Sequence, residues 1–307
     1  MGHGHDHGHA GAGVAHRGRL VLVLAMSVAV LLVQAVVAML TGSLALLADA
    51  GHMLSDVIGI VLALAAITVA QLGGRPGSRR TFGYQRTEVL AAGANGLVLL
   101  GVAAWVVWSA VRRLGDAPHI DAAPVLVAGA VGLTVNVIGL FLLRAGAEES
   151  LNVRGAYLEL MGDALGSVAV LVSAGVVWAT GWHAADPVAS LLIAVFIVPR
   201  AASLLREVGE VLMESTPRDL DLDELRRHLL AMDGVADVHD LHVWTITSGM
   251  PVMSAHIVVE ASITGLDESQ AVLDRMRACL AEHFDVEHST FQIESPGHTE
   301  PVGHLHH

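Results

Sequence analysis

Six long apolar stretches constrain this chain more than any other feature of its sequence. They cover residues 20–40, 43–71, 87–111, 122–143, 153–180 and 184–205. As a helix, each is long enough to span the roughly 30 Å hydrocarbon core of a bilayer. Hydrophobic residues make up 53% of the chain, charged residues only 15%, and the mean hydropathy is +0.59. The sequence therefore predicts a multi-pass α-helical membrane protein, and it excludes a disordered chain.

The arginines predict the orientation of the six spans. Cytoplasmic loops of membrane proteins carry an excess of basic residues. On one side of the spans lie only Arg112 and Arg113, whereas the other side holds Arg17, Arg19, Arg75, Arg79, Arg80, Arg86, Arg144, Arg154, Arg200 and Arg206. We therefore expect a cell (inner) membrane protein with both termini in the cytoplasm.

A change in composition near residue 207 predicts a second domain. Residues 207–307 contain 19 acidic residues and 5 arginines, a net charge of −14 that suits cations and disfavours nucleic acid. Hydrophobic periodicity predicts helices at 221–232 and 267–283 and strands at 235–247, 252–260 and 289–294. We expect four regions: a His-rich cytoplasmic tail at 1–19, a six-helix transmembrane bundle at 20–206, a cytoplasmic ferredoxin-like α+β domain at 207–296, and a second His-containing tail at 297–307.

Two pairs of ionisable residues lie inside the predicted spans. His52 and Asp56 are four residues apart in span 2, and Glu159 and Asp163 repeat this spacing in span 5. Residues four apart share one helix face, and both pairs fall near the middle of the bilayer. Charged groups inside a membrane usually mark an ion pathway. Four nitrogen and oxygen ligands suit a tetrahedral divalent cation such as Zn²⁺, and Asp49 could join the same face.

Other readings of these residues remain open. A lone intramembrane histidine can be a hydrogen-bonded packing residue. The chain could be a membrane metal sensor, or an intramembrane enzyme that uses the carboxylates for acid–base chemistry. Against an enzyme, the sequence has no H-E-x-x-H motif, no Walker loop and no Gly-rich dinucleotide fingerprint. We therefore expect neither catalysis nor a resident cofactor.

Several segments resemble the cation diffusion facilitator family. Residues 41–56 (TGSLALLADAGHMLSD) are similar to its second span, and residues 82–89 (FGYQRTEV) to the entry of its third. Residues 152–158 and 162–167 resemble its fifth span, and residues 240–249 (DLHVWTITSG) a stretch of its cytoplasmic domain. The resemblance implies a homodimeric, proton-coupled exporter of divalent metal. The zinc-transporting branch carries His-x-x-x-Asp in span 2, as His52 and Asp56 do here.

Glu159 departs from the family pattern, which has His or Asp at that position. A carboxylate is a harder ligand than imidazole, so zinc remains the first expectation while cobalt, cadmium, iron and manganese stay open. Because ligands must be deprotonated to bind metal, we expect protons to compete with the ion for this site.

The histidines of the cytoplasmic domain suggest further metal ligands. The resemblance implies a regulatory site at positions matching His239, His256, Gln292 and Glu294, with Gln292 replacing a histidine. Strand alternation predicts that His239 and His242 point to opposite faces, with His239 sharing a face with Val243. The His-rich tails are expected to capture metal weakly. Cys279, the single cysteine, excludes an internal disulfide and is predicted to face the core of the domain.

Overall fold

Six long helices account for the apolar stretches in the computed structural model, which describes residues 9–71, 79–145, 151–247, 249–284, 286 and 288–297. Each contains a segment long and apolar enough to cross a membrane. The predicted six-helix architecture is thus confirmed. The helices are α1 (His9–Thr41), α2 (Leu44–Gln71), α3 (Thr87–Arg113), α4 (Ala122–Leu143), α5 (Leu151–Thr180) and α6 (Ala185–Leu212).

Two helix ends differ from the predicted domain limits. α1 begins at His9, so that residues 9–19 of the predicted tail are helical. α6 continues to Leu212, past the predicted boundary at 206. The remaining tail residues, 1–8 and 298–307, lie outside the described residues.

The start of α2 is fixed by a carboxylate of α6. Asp186 accepts hydrogen bonds from the Ser43 hydroxyl (2.5 Å) and from the backbone N–H groups of Leu44 (2.6 Å) and Ala45 (3.3 Å). The first N–H groups of a helix have no partner within it, so a carboxylate there both satisfies them and complements the helix dipole. Asp186, which is buried, thereby links the first turns of the two helices. Further along, α6 contains an internal proline, Pro199.

The chain divides into two compact units: one comprises residues 1–62 and 94–205, and the other comprises residues 63–93 and 206–307, which include the C-terminal α+β domain. That domain has the predicted element order. Its elements are α7 (Leu222–Leu230), β1 (Val235–Thr245), β2 (Pro251–Val259), α8 (Leu266–His283) and β3 (His288–Glu294). β2 lies in the centre of the sheet, antiparallel to β1 and parallel to β3. Leu225 and Leu229 of α7 and Met276 and Leu280 of α8 share one buried core with the strands, so both helices cover the same face of the sheet.

A bulge in β1 makes the prediction from strand alternation wrong. His239 pairs with His256, but His242 pairs with Ser254, so four residues of β1 lie opposite three of β2. His256 and Ser254 are two apart and share a face, and their partners share it too. His239 and His242 therefore lie on the same face of the sheet, and Val243, which is buried in the core, lies on the other. Asp240 inside the bulge has a left-handed backbone (φ 47°), which is uncommon for a residue other than glycine.

Candidate metal centre

Helices α2 and α5 bring three of the four predicted transport-site residues together. His52 Nε2 lies 3.7 Å from Asp56 Oδ2 and 3.7 Å from Asp163 Oδ1. The side chains are 11%, 16% and 7% exposed, respectively. Neither of these two carboxylate oxygens has a hydrogen-bond partner among the described residues. Buried polar atoms are nearly always paired, so two unpaired oxygens aimed at an imidazole nitrogen form an incomplete polar site. We call His52, Asp56 and Asp163 the transmembrane cluster.

Glu159, the fourth predicted residue, is turned toward an arginine. Its carboxylate accepts a hydrogen bond from the Arg200 guanidinium, and its side chain is 35% exposed. The three ligand atoms of the transmembrane cluster lie within 4.8 Å of one another in a set that does not include Glu159. The structure therefore places Glu159 at the edge of the cluster, where Arg200 connects the two.

Arg200 of α6 contacts the predicted site residues, which the sequence pattern does not anticipate. The pattern counts it among the arginines flanking the end of span 6. The structure instead places it well inside α6, with its guanidinium 3.2 Å from His52 Nε2 and 3.4 Å from Asp56 Oδ1. One cation thus contacts three of the four predicted residues. The available signal was that residue 200 lies inside the predicted sixth span, residues 184–205, and not beyond its end.

Asp49 takes a different role from the transmembrane cluster. Its carboxylate accepts hydrogen bonds from Gln34 Nε2 (3.0 Å) and Ser167 Oγ (3.4 Å), and its side chain is buried. These bonds join α1, α2 and α5. Asp49 thus contacts side chains of two neighbouring helices, and its role as a metal ligand stays a prediction.

Two cavities reach the predicted site residues from different sides of α2. A cavity of about 250 Å³ is bounded by α1, α2 and α5 and is lined by Asp56, Glu159 and Asp163. A second cavity of about 140 Å³ is bounded by α2, α5 and α6 and is lined by Asp49, His52 and Arg200. Each is large enough for water or a small ion. The cluster is therefore reachable from within the bundle while its own side chains stay nearly buried.

The sheet of the C-terminal domain carries a second cluster on the face opposite to its helices. His239 Nε2 lies 3.1 Å from Glu294 Oε2, and His256 Nδ1 lies 3.0 Å from Glu294 Oε1. The two imidazole centroids are 5.1 Å apart. Asp240 Oδ2 is 3.9 Å from Nδ1 of each histidine. The structure thus brings together His239, His256 and Glu294 of the implied regulatory site, and the bulge adds Asp240. We call these four residues the sheet cluster.

Hydrogen bonds define the charge state of Glu294 in the sheet cluster. Burial alone would raise the pKa of this carboxyl, but hydrogen bonds from Gln292 (2.9 Å) and His239, with the charges of His239 and His256, hold the pKa below its usual range. The carboxylate is therefore ionised at neutral pH. Gln292 stands where the implied regulatory site has a histidine, and here its side-chain amide donates a hydrogen bond to Glu294.

Comparison with known proteins identifies the family. A model of the cation efflux transmembrane domain matches residues 20–213, and a model of the cation efflux protein cytoplasmic domain matches residues 217–296. The chain belongs to the cation diffusion facilitator family. It is accordingly a multi-pass membrane protein of a metal cation efflux family, and the resemblance inferred from the sequence motifs is confirmed.

Individual relatives agree with this assignment. The chain is 41% identical over 265 residues to the metal cation efflux system protein CzcD of Cupriavidus metallidurans, covering 86% of this chain and 82% of the relative. It is 36% identical over 270 residues to a cadmium, cobalt and zinc/H(+)-K(+) antiporter of Bacillus subtilis (87% and 86%), and 37% identical over 288 residues to the zinc transporter ZitB of Escherichia coli (90% and 90%). The solved metal-bound C-terminal domain of the C. metallidurans CzcD transporter is 36% identical, with 24% of this chain and 99% of that chain covered and a TM-score of 0.23.

Proposed function

We propose that this protein exports a divalent transition-metal cation, with zinc as the main substrate, from the cytoplasm in exchange for protons. In this proposal it is a homodimer in the cell (inner) membrane with both termini in the cytoplasm. His52, Asp56, Glu159 and Asp163 bind the ion during transport, and the ion is cargo rather than cofactor. Support for the wider class comes from the family match, and support for zinc and antiport from the printed names of relatives.

The observation that carries the proposal is the transmembrane cluster itself. An imidazole nitrogen and two carboxylate oxygens from α2 and α5 converge within the membrane-spanning part of the chain, and the two oxygens lack hydrogen-bond partners among the described residues. Unpaired anionic oxygens in a low-dielectric environment are costly unless a cation compensates them. Two carboxylates and an imidazole are ligands that Zn²⁺ accepts at about 2.0–2.2 Å. The two 3.7 Å spacings exceed the separation of neighbouring ligand atoms around such an ion, about 3.3–3.4 Å, by only a few tenths of an ångström.

Arg200 supplies the compensating charge in the metal-free state. Its guanidinium contacts His52, Asp56 and Glu159. A metal ion bound by these residues would displace the guanidinium, because both cations would need the lone pair of His52 Nε2 and the carboxylate of Glu159. In this proposal the Arg200 guanidinium competes with the metal ion for the site. It balances the negative charge of the carboxylates after the ion has left. Release of Glu159 from Arg200 would free its carboxylate to become the fourth ligand.

Proton exchange follows from the ligand types. A histidine or carboxylate can hold either a proton or a metal ion at the same atom, and imidazole titrates near neutral pH. Protons entering from a more acidic outer compartment would discharge the ion and return to the cytoplasm. Inward-facing and outward-facing forms of the bundle would alternate around the fixed site.

Metal flux into proteoliposomes under an imposed pH gradient tests the proposal. Zinc, cadmium, cobalt, iron and manganese would each be offered to the purified protein. We expect zinc to be transported fastest, and transport to stop when the gradient is collapsed by a protonophore. Tight zinc binding without flux would instead support a membrane metal sensor. Flux that does not respond to the pH gradient would remove proton coupling from the proposal.

A further inference from the structure

Three side chains of types that commonly bind metals lie close together between α7 and α8, outside both clusters. His228 lies on α7, and Cys279 and His283 lie one turn apart on α8. One imidazole nitrogen of each histidine and the Cys279 sulfur all lie within 4.8 Å of one another. These residues are on the helix-covered side of the domain, whereas the sheet cluster is on the open face. We call them the helix cluster.

The packing of the two helices fixes the helix cluster in place. Leu229 follows His228 directly, and Leu280 follows Cys279; both leucines are fully buried in the core of the domain. Because the two leucines are packed in the core, the residues next to them, His228 and Cys279, lie at its edge. Cys279 is partly exposed, so the prediction that it faces the core is wrong: the core-facing positions of α8 are Val272, Met276 and Leu280. The histidine rings lie 5.1 Å apart between centroids.

A backbone contact sets the tautomer of His283. Its Nδ1 lies 3.2 Å from the carbonyl oxygen of Cys279. A carbonyl oxygen only accepts hydrogen bonds, so in the neutral imidazole Nδ1 carries the proton and Nε2 carries the lone pair. Histidines that bind metals usually donate their second N–H group to a carbonyl or carboxylate in this way. The metal-free protein therefore already holds His283 in a form that can bind a metal.

We propose that His228, Cys279 and His283 bind a soft or borderline divalent cation, namely Zn²⁺ or Cd²⁺. One thiolate and two imidazoles favour such ions over Mg²⁺ or Mn²⁺. Around tetrahedral zinc, neighbouring ligand atoms are about 3.4–3.6 Å apart, so the cluster must contract by roughly 1 Å. The Cys279 thiol loses its proton to solvent as the sulfur–metal bond forms. Water or the neighbouring Glu282, whose charge already acts on Cys279, would complete the four ligands.

An ion held in the helix cluster would connect α7 to α8. The link joins the two helices that cover one face of the sheet, so binding would stabilise the folded domain against separation of these helices. Because the helix cluster shares no residue with the transport site, its metal binding does not rest on the proposed transport function.

Cobalt binding to the full-length protein in detergent provides a specific test, because Cys279 is the chain's single cysteine. Co²⁺ bound to a thiolate shows a sulfur-to-metal charge-transfer band, which neither carboxylates nor imidazoles produce. The His-rich tails, the sheet cluster and the transmembrane cluster are therefore silent in this measurement. We expect a band that saturates at one cobalt per chain and disappears when excess Zn²⁺ or Cd²⁺ is added.

Variants separate a three-ligand site from a lone thiol. Cys279→Ser should abolish the band, and His228→Ala and His283→Ala should each weaken cobalt binding by at least about tenfold. His242→Ala, an exposed histidine of the same domain, is the matched control and should leave the titration unchanged. Zn²⁺ should also slow alkylation of Cys279 by about tenfold or more, since a metal-bound thiolate is shielded. The absence of the band in the wild-type protein, or a band unchanged in both histidine variants, would overturn the proposal.

Discussion

The transmembrane cluster and the sheet cluster both combine histidines with carboxylates, but different partners hold their carboxylates. In the sheet cluster, Glu294 lies within 3.1 Å of both imidazoles and also accepts a hydrogen bond from Gln292. In the transmembrane cluster, the carboxylate oxygens remain 3.7 Å from His52 Nε2, and the nearest compensation comes from the side chain of Arg200. Hydrogen bonds within the sheet cluster thus hold Glu294 in place, whereas in the transmembrane cluster a guanidinium from a third helix faces the imidazole and a carboxylate.

The largest expected effect comes from removing a carboxylate of the transmembrane cluster. Asp163→Asn keeps the shape of the side chain but removes its charge, so zinc flux should fall by more than about a hundredfold. Asp116→Asn, on the exposed loop after α3, is the matched control and should transport normally. Radioactive zinc uptake into proteoliposomes measures both, with size-exclusion profiles to verify folding. Flux near the wild-type level in folded Asp163→Asn would disprove its role as a ligand.

Arg200→Gln tests whether the transmembrane cluster depends on a competing cation, because it removes the guanidinium and keeps a polar side chain. The apparent KM for zinc should fall by roughly tenfold, since the ion no longer displaces a guanidinium, and the maximal rate should fall because release becomes slower. Arg200→Lys retains a charge and should lie between the two proteins. A purely structural role for Arg200 predicts a lower maximal rate with an unchanged or higher KM.

Glu159→His tests whether the edge residue enters the binding site during transport. Replacing a carboxylate by an imidazole should shift the preference toward Zn²⁺ and Cd²⁺ and away from Mn²⁺ and Fe²⁺. It should also make flux more dependent on pH between about 6 and 7.5, because a second imidazole titrates there. Competition flux assays compare the variant with the wild-type protein. An identical metal ranking and pH profile would mean that Glu159 never contacts the ion.

The smallest effect is expected from Glu294→Gln in the sheet cluster. Loss of the charge-assisted hydrogen bonds should destabilise the domain by about 1–2 kcal/mol, while flux at saturating zinc stays near normal. The pKa of Glu294 is lower in the folded protein, so its stabilisation is present above the unfolded pKa of about 4.3 and is lost as the pH falls through the folded value. Hydrogen exchange of the β2 and β3 amides at neutral and acidic pH measures this difference. Equal protection in both proteins at neutral pH would contradict it.

Local sequence rules predicted the parts of the molecule that depend on spacing along one helix. The six spans and the pairs His52–Asp56 and Glu159–Asp163 follow from apolar length and from i,i+4 geometry. The rules failed where a residue's role depends on another element. Arg200 resembles a flanking arginine until α6 is known to continue to Leu212. The role of Asp186 depends on the first turn of α2, and the position of His239 depends on a bulge that strand alternation does not predict.

Pro199 weakens the hydrogen bonding of α6 at one turn in the middle of the helix. Proline lacks an N–H group, so the helix loses one internal hydrogen bond immediately before Arg200. The segment before the proline is held by Asp186 at the first turn of α2. Bending of α6 would therefore cost least at the turn that contains Pro199, and it would leave the Asp186 attachment in place. Arg200 directly follows this turn, so such a bend would shift its guanidinium relative to His52 and Asp56.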